Sequence, residues 1–300
     1  MQQLPGRENL ASRKWFVFVD TDTYIEWGNL LELLSHLDAN SEHYLGSPVW
    51  LPALQFAHGG SAYVLSAGAM KALNEPVDQM TPFQSQYGLN TTAPCCGDEA
   101  LARVLKAKGI RLEGYWPMFN GEAPATVTFG RDTWCEPVVS LHHVSGREME
   151  EFWRWTMEWK SRTKNAVGLT LFARPTAGSD NFAQRPLLFE DLFSYVEPWI
   201  IDVRTDWENM HDSTRIIPSG KAPLSSAANC SQACEADKRC LQYAYDGATC
   251  ALSHHVRLGK ERMPEEDGLR DFTSGWMVER IVAWTSMHRW KGAHWVRSNP

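Results

Sequence analysis

What this sequence lacks is informative before any motif is read. No apolar run approaches the ~20 residues of a membrane-spanning helix, and the opening MQQLPGRENLASRKW has none of the apolar core of a signal peptide. Basic residues are outnumbered, 29 against 36 acidic for a net charge of −7, which argues against a broad nucleic-acid-binding face. No repeat with a period of roughly 20–50 residues and no long low-complexity tract is present, so solenoids and linker-like chains drop out. With 43% hydrophobic and 22% charged residues the composition is globular, and 300 residues suit one large domain or two ordinary ones. Cysteine is not scarce. There are seven, an odd number, with Cys230, Cys234, Cys240 and Cys250 clustered near the C-terminus.

The first half alternates strand-like and helix-like patterns. Lys14-Trp-Phe-Val-Phe-Val19 is a short apolar run ending in acids, as in a buried strand of a parallel or mixed sheet. Leucines at 30, 31, 33, 34 and 37 have helical spacing. Ala62–Ser66 reads as strand, 67–73 as a short helix, and Asp98–Lys108 as a helix that starts at an acid and stops before Gly109. Such alternation predicts an α/β layer architecture. Farther on, Phe152, Trp155 and Trp159 form an aromatic stripe at helical spacing, the pattern of a packing face rather than a sugar platform. Prolines at 175, 186, 198, 218 and 223 then break up any long element, which reads as a wrapping tail and linker.

The sharpest chemical feature is Asp20-Thr21-Asp22, directly after the first strand. Hard divalent cations prefer carboxylate oxygens and bridge to phosphate, and α/β sheets bind ligands beyond the carboxyl ends of their strands. Acids at that place also cap helices, so the pair alone is weak. His142 and His143 are adjacent on a strand-like run, where neighbours point to opposite faces, so at most one of them is expected to face a common metal.

Four blocks in order resemble the Fringe-like glycosyltransferases of glycosyltransferase family 31, especially their fungal members. Lys14-Trp-Phe-Val-Phe-Val-Asp-Thr-Asp-Thr-Tyr-Ile25 is similar to that family's strand and acidic motif, and Phe56-Ala-His-Gly-Gly-Ser-Ala-Tyr-Val-Leu-Ser66 to its Gly-Gly loop and following strand. Cys95-Cys-Gly-Asp-Glu-Ala-Leu101 stands where the family has an acidic pair opening a helix, and Val139-Ser-Leu-His-His-Val144 resembles its late histidine strand. The resemblance implies a GT-A-type mixed sheet with flanking helices and inverting transfer from a nucleotide-diphosphate sugar, usually a UDP-sugar, to a hydroxyl of a glycan or glycoprotein. It implies Mn²⁺, with Mg²⁺ as the substitute. Asp22 would be the principal metal ligand, Asp20 would assist through the metal or the ribose, and His142 would supply an imidazole. Asp98 would be the base that takes the acceptor's proton, in a position that also suits a helix N-cap. Gly97 replaces the first acid of the family's pair, and Glu99 is the residue placed to compensate. Gly59 and Gly60 would let the backbone approach the donor sugar.

The C-terminal cysteines follow C-x3-C-x5-C-x9-C, a poor match to zinc spacing. Four cysteines allow three pairings. With Gln242-Tyr-Ala-Tyr245 and Ser274-Gly-Trp276 downstream, Cys230–Leu258 resembles a PAN/Apple domain, and that resemblance implies Cys230–Cys250 and Cys234–Cys240 bridges in a small disulfide-stapled α+β domain. Cys135 would pair with Cys95 or Cys96. Sequons at Asn90 and Asn229 fit the secretory pathway, most simply the Golgi lumen as part of a type II membrane protein.

The division expected from these signals is a partial GT-A domain over 1–165, a wrapping tail and linker over 166–225, and the PAN/Apple-like domain over 226–300. The acidic motif comes so early that the chain reads as the C-terminal part of a longer protein, missing its N-terminal strands and an anchor. The competing functional reading is a non-catalytic descendant that acts as a carbohydrate- or protein-binding module; a metal-dependent hydrolase is a distant third.

Overall fold

The structure is a computed structural model that describes residues 12–75, 96–169, 185–218, 226–264, 271–287, 293 and 295. Packing divides the chain into two compact units, one made of 1–121, 138–149 and 295–300, the other of 122–137 and 150–294. Among the described residues, no helix is long and apolar enough to cross a membrane.

The elements of the first unit are, in chain order, β1 (Trp15–Phe18), β2 (Tyr24–Ile25), α1 (Trp27–Ser35), β3 (Tyr44–Gly46), β4 (Pro48–Leu51), β5 (Leu54–Ala57), a 3-10 turn (Gly59–Ser61), β6 (Tyr63–Ser66), α2 (Ala67–Asn74), α3 (Gly97–Ala107), β7 (Glu113–Gly114) and β8 (Ser140–Leu141). Four of the strands form a sheet in the order β1-β6-β3-β7. The β1–β6 and β3–β6 pairs are antiparallel and β3–β7 is parallel, so the sheet is mixed. β1 lies at the end of that order, which explains why Phe18 and Val19 stay partly exposed where the apolar run predicts a buried strand.

The leucine spacing of α1 does what helical periodicity requires. Leu30, Leu33 and Leu34 are buried against Leu45, Val64, Met118 and Phe119, while Leu31 faces out. Each buried leucine contributes roughly 1.5–3 kcal/mol through the apolar surface it removes from water. The helix begins at Glu26, whose side chain accepts from the Gly28 backbone N–H. α3 ends as expected before Gly109, whose φ of +83° is open to glycine without Cβ strain.

The second unit contains most of α4 (Gly146–Leu169), then α5 (Phe189–Val196), β9 (Val203–Thr205), β10 (Trp207–Glu208), α6 (Ala227–Ala236), β11 (Gln242–Tyr245), β12 (Cys250–Ser253), β13 (Lys260–Glu261), β14 (Thr273–Trp276) and α7 (Val278–Met287). The aromatic stripe of α4 is a packing face: Phe152 and Trp155 contact Tyr195 of α5 at 5.0 and 5.3 Å between ring centroids, and Trp159 Nε1 donates to Asp191.

An antiparallel sheet in the order β12-β11-β14-β9 carries α6, and two disulfides, Cys230–Cys250 and Cys234–Cys240, join the helix to the sheet region. This is the pairing that the PAN/Apple resemblance implies. The expected third bridge is not made through Cys96, since no Cys96–Cys135 bond is present among the described residues; Cys95 lies outside them.

The two units differ from the three-segment division in two places. The proline-broken tail contributes β9, which pairs with β14 through Thr205↔Thr273 and Arg204↔Ser274, and it also holds the helix α5. Residues 122–137 belong with the C-terminal unit. Phe129 exchanges backbone bonds with Val256 at 2.7 and 2.9 Å, and Arg257 Nε donates to the Thr126 carbonyl at 2.7 Å. Both arrangements depend on pairings between residues far apart in sequence, which local composition does not report.

Candidate functional site

The site grows from one long-range strand pair. β2 and β8 lie antiparallel with Tyr24 opposite Leu141, and the Val144 N–H donates to the Asp22 carbonyl at 2.9 Å. That register sets the residues just before β2 beside those just after β8. Asp22 Oδ1 therefore stands 3.3 Å from His142 Nε2, and Asp22 Oδ2 stands 3.7 Å from His143 Nδ1.

Both histidines face the same carboxylate, contrary to the alternation expected of a strand. The reason is local: β8 ends at Leu141, and His143 has a φ of +57°. A left-handed residue breaks the two-residue period and turns the second ring back toward the first. The two ring centroids are 3.8 Å apart.

The 3-10 turn between β5 and β6 closes the site from the other side. Thr23 Oγ1 donates to the Gly60 carbonyl at 2.7 Å, and Ser140 Oγ donates to the Ser61 carbonyl. Gly59 N–H donates to Asp98 Oδ2 at 2.8 Å. A Cβ on Gly59 would fall 2.5 Å from that same oxygen, and a Cβ on Gly60 would fall 2.2 Å from His142 Cε1. The glycines are thus required by the protein itself: one lies flush under the Asp98 carboxylate and the other under the His142 ring. The Gly-Gly, acidic-helix and histidine blocks, far apart in sequence, meet at this turn.

Asp98 sits in the first turn of α3, after Cys96 as N-cap, so it is not the cap of that helix; its carboxylate accepts from Gly59 instead. Glu99, the neighbour placed to compensate for Gly97, is buried at 4% exposure and pairs with Arg103 one turn on, at 2.8 Å to Nε. Its charge serves the helix interior. Asp20 is exposed at the end of β1, and its carbonyl accepts from Thr23 N–H in the turn that leads to Asp22.

Two participants were missed in the sequence. The His58 ring meets His142 edge-on at 5.4 Å, and its Nδ1 is 2.7 Å from Ser61 Oγ. Its position directly before Gly59-Gly60 was the available signal. Tyr63 stacks on Phe18 at 4.7 Å, and its phenol is pushed up to about 12, first by burial and then by the negative charges of Asp98 and Asp20. Tyr63 therefore stays a neutral hydroxyl beside both acids, and Tyr44 is displaced in the same direction by burial.

Asp22, His142 and His143 form the acid–imidazole group that can hold a metal ion, with one donor atom from each and all three atoms within 4.8 Å of one another. Two observations fit such an ion. His142 is buried at 7% exposure, and its Nδ1 has no hydrogen-bond partner among the described residues, an unusual state for a buried ring nitrogen. Burial, followed by the like charge of His143, also holds the His142 pKa below the ordinary histidine value, outweighing the opposing pull of Asp22. A neutral imidazole is the form that donates a lone pair to a metal.

Comparison with known families gives a match of independent origin. The family described as Fringe-like matches residues 6–105. That span contains Asp20, Asp22, Gly59, Gly60, Asp98 and Glu99; His142 and His143 lie beyond it and enter the site through the β2–β8 pair. Residues 6–105, a third of the chain, are thus similar to the Fringe-like family, a family that implies glycosyltransferase activity.

Proposed function

We propose that this protein is a metal-dependent inverting glycosyltransferase that moves a sugar from a nucleotide-diphosphate donor, a UDP-sugar, to a hydroxyl of a glycan or glycoprotein. The observation that carries the reading is the Gly59–Gly60 turn, which touches Asp98 on one side and His142 on the other while His142 faces Asp22. An acid for proton removal and an acid–imidazole pair for a metal are held by one rigid piece of backbone.

In this mechanism Asp22 and His142 would hold a divalent ion, Mn²⁺ by preference. Once bound, the ion supplies Lewis-acid neutralisation of the charge that develops on the diphosphate leaving group. Asp20, exposed at the strand end, serves the donor's ribose. Asp98 is the general base. Gly59 N–H fixes its Oδ2, which leaves Oδ1 to take the acceptor's proton, an assistance typically worth ~10²–10⁴ in rate. Tyr63, neutral at physiological pH, offers a hydroxyl beside the two acids without adding charge.

The fold assigned on this reading is a GT-A domain. The disulfide-stapled C-terminal sheet is assigned to a PAN/Apple-like module that binds carbohydrate or protein and takes no part in the chemistry. Two disulfides fit an oxidising compartment of the secretory pathway, and Golgi residence follows from the proposed activity.

The test is Mn²⁺-dependent binding and turnover across a panel of nucleotide sugars with the disulfides intact. Asp22→Asn is expected to abolish metal-dependent donor binding. Asp98→Asn is expected to spare donor binding and to lose transfer by ~10²-fold or more. Absence of any Mn²⁺-dependent nucleotide affinity would remove the enzyme reading and leave the binding module.

A further inference from the structure

We propose that His143 is a third protein ligand to the same metal ion, so that the centre is built from one carboxylate and two imidazoles and selects a nitrogen-preferring divalent ion over Mg²⁺. The inference rests on the reading of Asp22 and His142 as a metal site and deepens it.

The argument starts from backbone geometry. Two adjacent residues in a regular strand cannot turn their side chains to one point. Here they do, because His143 has a φ of +57°. Sparsely populated backbone states of this kind concentrate at ligand clamps and other functional sites. The chain is then pinned by Val144 N–H on the Asp22 carbonyl, so the His143 ring is held beside the acid that precedes β2.

The side-chain environment points the same way. The His143 side chain is 69% exposed, so packing does not hold it where it is. It nevertheless stays 3.8 Å from the His142 ring and 3.7 Å from Asp22 Oδ2. One oxygen and two nitrogens, mutually within 4.8 Å, match the span of donors around a single ion.

Donor chemistry then sets the choice of ion. Mg²⁺ takes oxygen ligands and keeps its waters, whereas imidazole suits the later divalent ions, with affinity rising from Mn²⁺ toward Co²⁺ and Zn²⁺. Three protein donors also leave the remaining positions of a six-coordinate ion for donor phosphate and water. His142 alone would make a centre nearly as oxygen-rich as a carboxylate pair; His143 tips it.

The experiment titrates the disulfide-intact 300-residue chain, without nucleotide, with MnCl₂, CoCl₂ and MgCl₂, and records bound Mn²⁺ by pulsed electron paramagnetic resonance. The variant is His143→Gly, since glycine adopts the left-handed backbone without a Cβ penalty and a melting curve can confirm an intact fold. The unaltered chain should bind Co²⁺ tighter than Mn²⁺ and Mn²⁺ far tighter than Mg²⁺, with a two-nitrogen hyperfine signature. His143→Gly should reduce the signature to one nitrogen and weaken Mn²⁺ at least about tenfold, the low end for losing even a supporting group of a metal site. If the unaltered chain shows a one-nitrogen signature that His143→Gly leaves unchanged together with the affinity, while His142→Gly loses it, the inference fails and the Asp22–His142 metal reading stands. If the unaltered chain binds none of the three ions, both fail.

Discussion

Substituting Gly60 by alanine tests the joint on which the site is built. The new Cβ would stand 2.2 Å from His142 Cε1, 2.4 Å from Nε2 and 2.6 Å from Nδ1. Real carbon contacts do not come that close, so either the ring or the turn must move. The ring is 7% exposed, with the tilted His143 ring at 3.8 Å and His58 edge-on at 5.4 Å. The turn is tied by Thr23 to the Gly60 carbonyl and by Ser140 to the Ser61 carbonyl.

Overpacking against neighbours with so little room typically costs about 1–3 kcal/mol. If the ring gives way, His142 Nε2 leaves its position 3.3 Å from Asp22, and restoring it on metal binding costs the same energy. At 1.4 kcal/mol per decade, the Kd for Mn²⁺ should rise roughly five- to 150-fold. The assay is paired: urea denaturation for the fold and Mn²⁺ titration for the site.

Gly97→Ala is the control. It lies in the first turn of α3, next to Asp98, with no atom of a non-neighbouring described residue within 4 Å of the point where its Cβ would stand, and should stabilise by up to about 1 kcal/mol without touching metal affinity. Unchanged Mn²⁺ affinity in a stably folded Gly60→Ala protein would refute the claim that this turn positions His142.

Two further outcomes concern the second unit. Arg280 Nη1 donates to the carbonyls of Cys234, Asp237 and Cys240, and Nη2 donates to that of Glu235, so one guanidinium from α7 caps the C-terminal end of α6. Arg280→Ala should cost about 2–3 kcal/mol in urea denaturation, since bonds from a charged donor to carbonyls at a helix end are among the stronger ones; Arg280→Lys, lacking the planar fork, should recover less than half. His255 is held below the ordinary histidine value of 6.5 by burial first and then by the His254 charge. The unfolded chain therefore binds more protons than the folded one just below that pH, and stability should fall on acidification from about 6.5 downward. His255→Gln should flatten that limb of the stability–pH curve, and an unaltered slope would count against His255 as its source.

The helices were legible because their signals are local. Leucine spacing determined the buried face of α1, the aromatic stripe determined the α4 packing face, and Gly109 marked the end of α3. The acids, the glycine pair and the histidines announced themselves as motifs, since each occupies a few consecutive residues. The linker reading failed where structure depended on distant partners. The tail's β9 exists as a strand because β14 is there to pair with it, and 122–137 joins the second unit through Val256 and Arg257.

The site divides along the same line. Sequence alone singled out the side chains proposed here for the chemistry: Asp20, Asp22, Asp98 and His142, with glycines at 59 and 60. Only the tertiary structure decided how they meet. The β2–β8 register sets Asp22 beside His142, the glycine turn lies between Asp98 and His142, and Glu99 is spent on Arg103. It also decided what strand periodicity forbids, that His143 joins His142 at one carboxylate. Periodicity assumes a regular backbone, and a single left-handed residue past the end of β8 is a conformational choice fixed by the contacts around it.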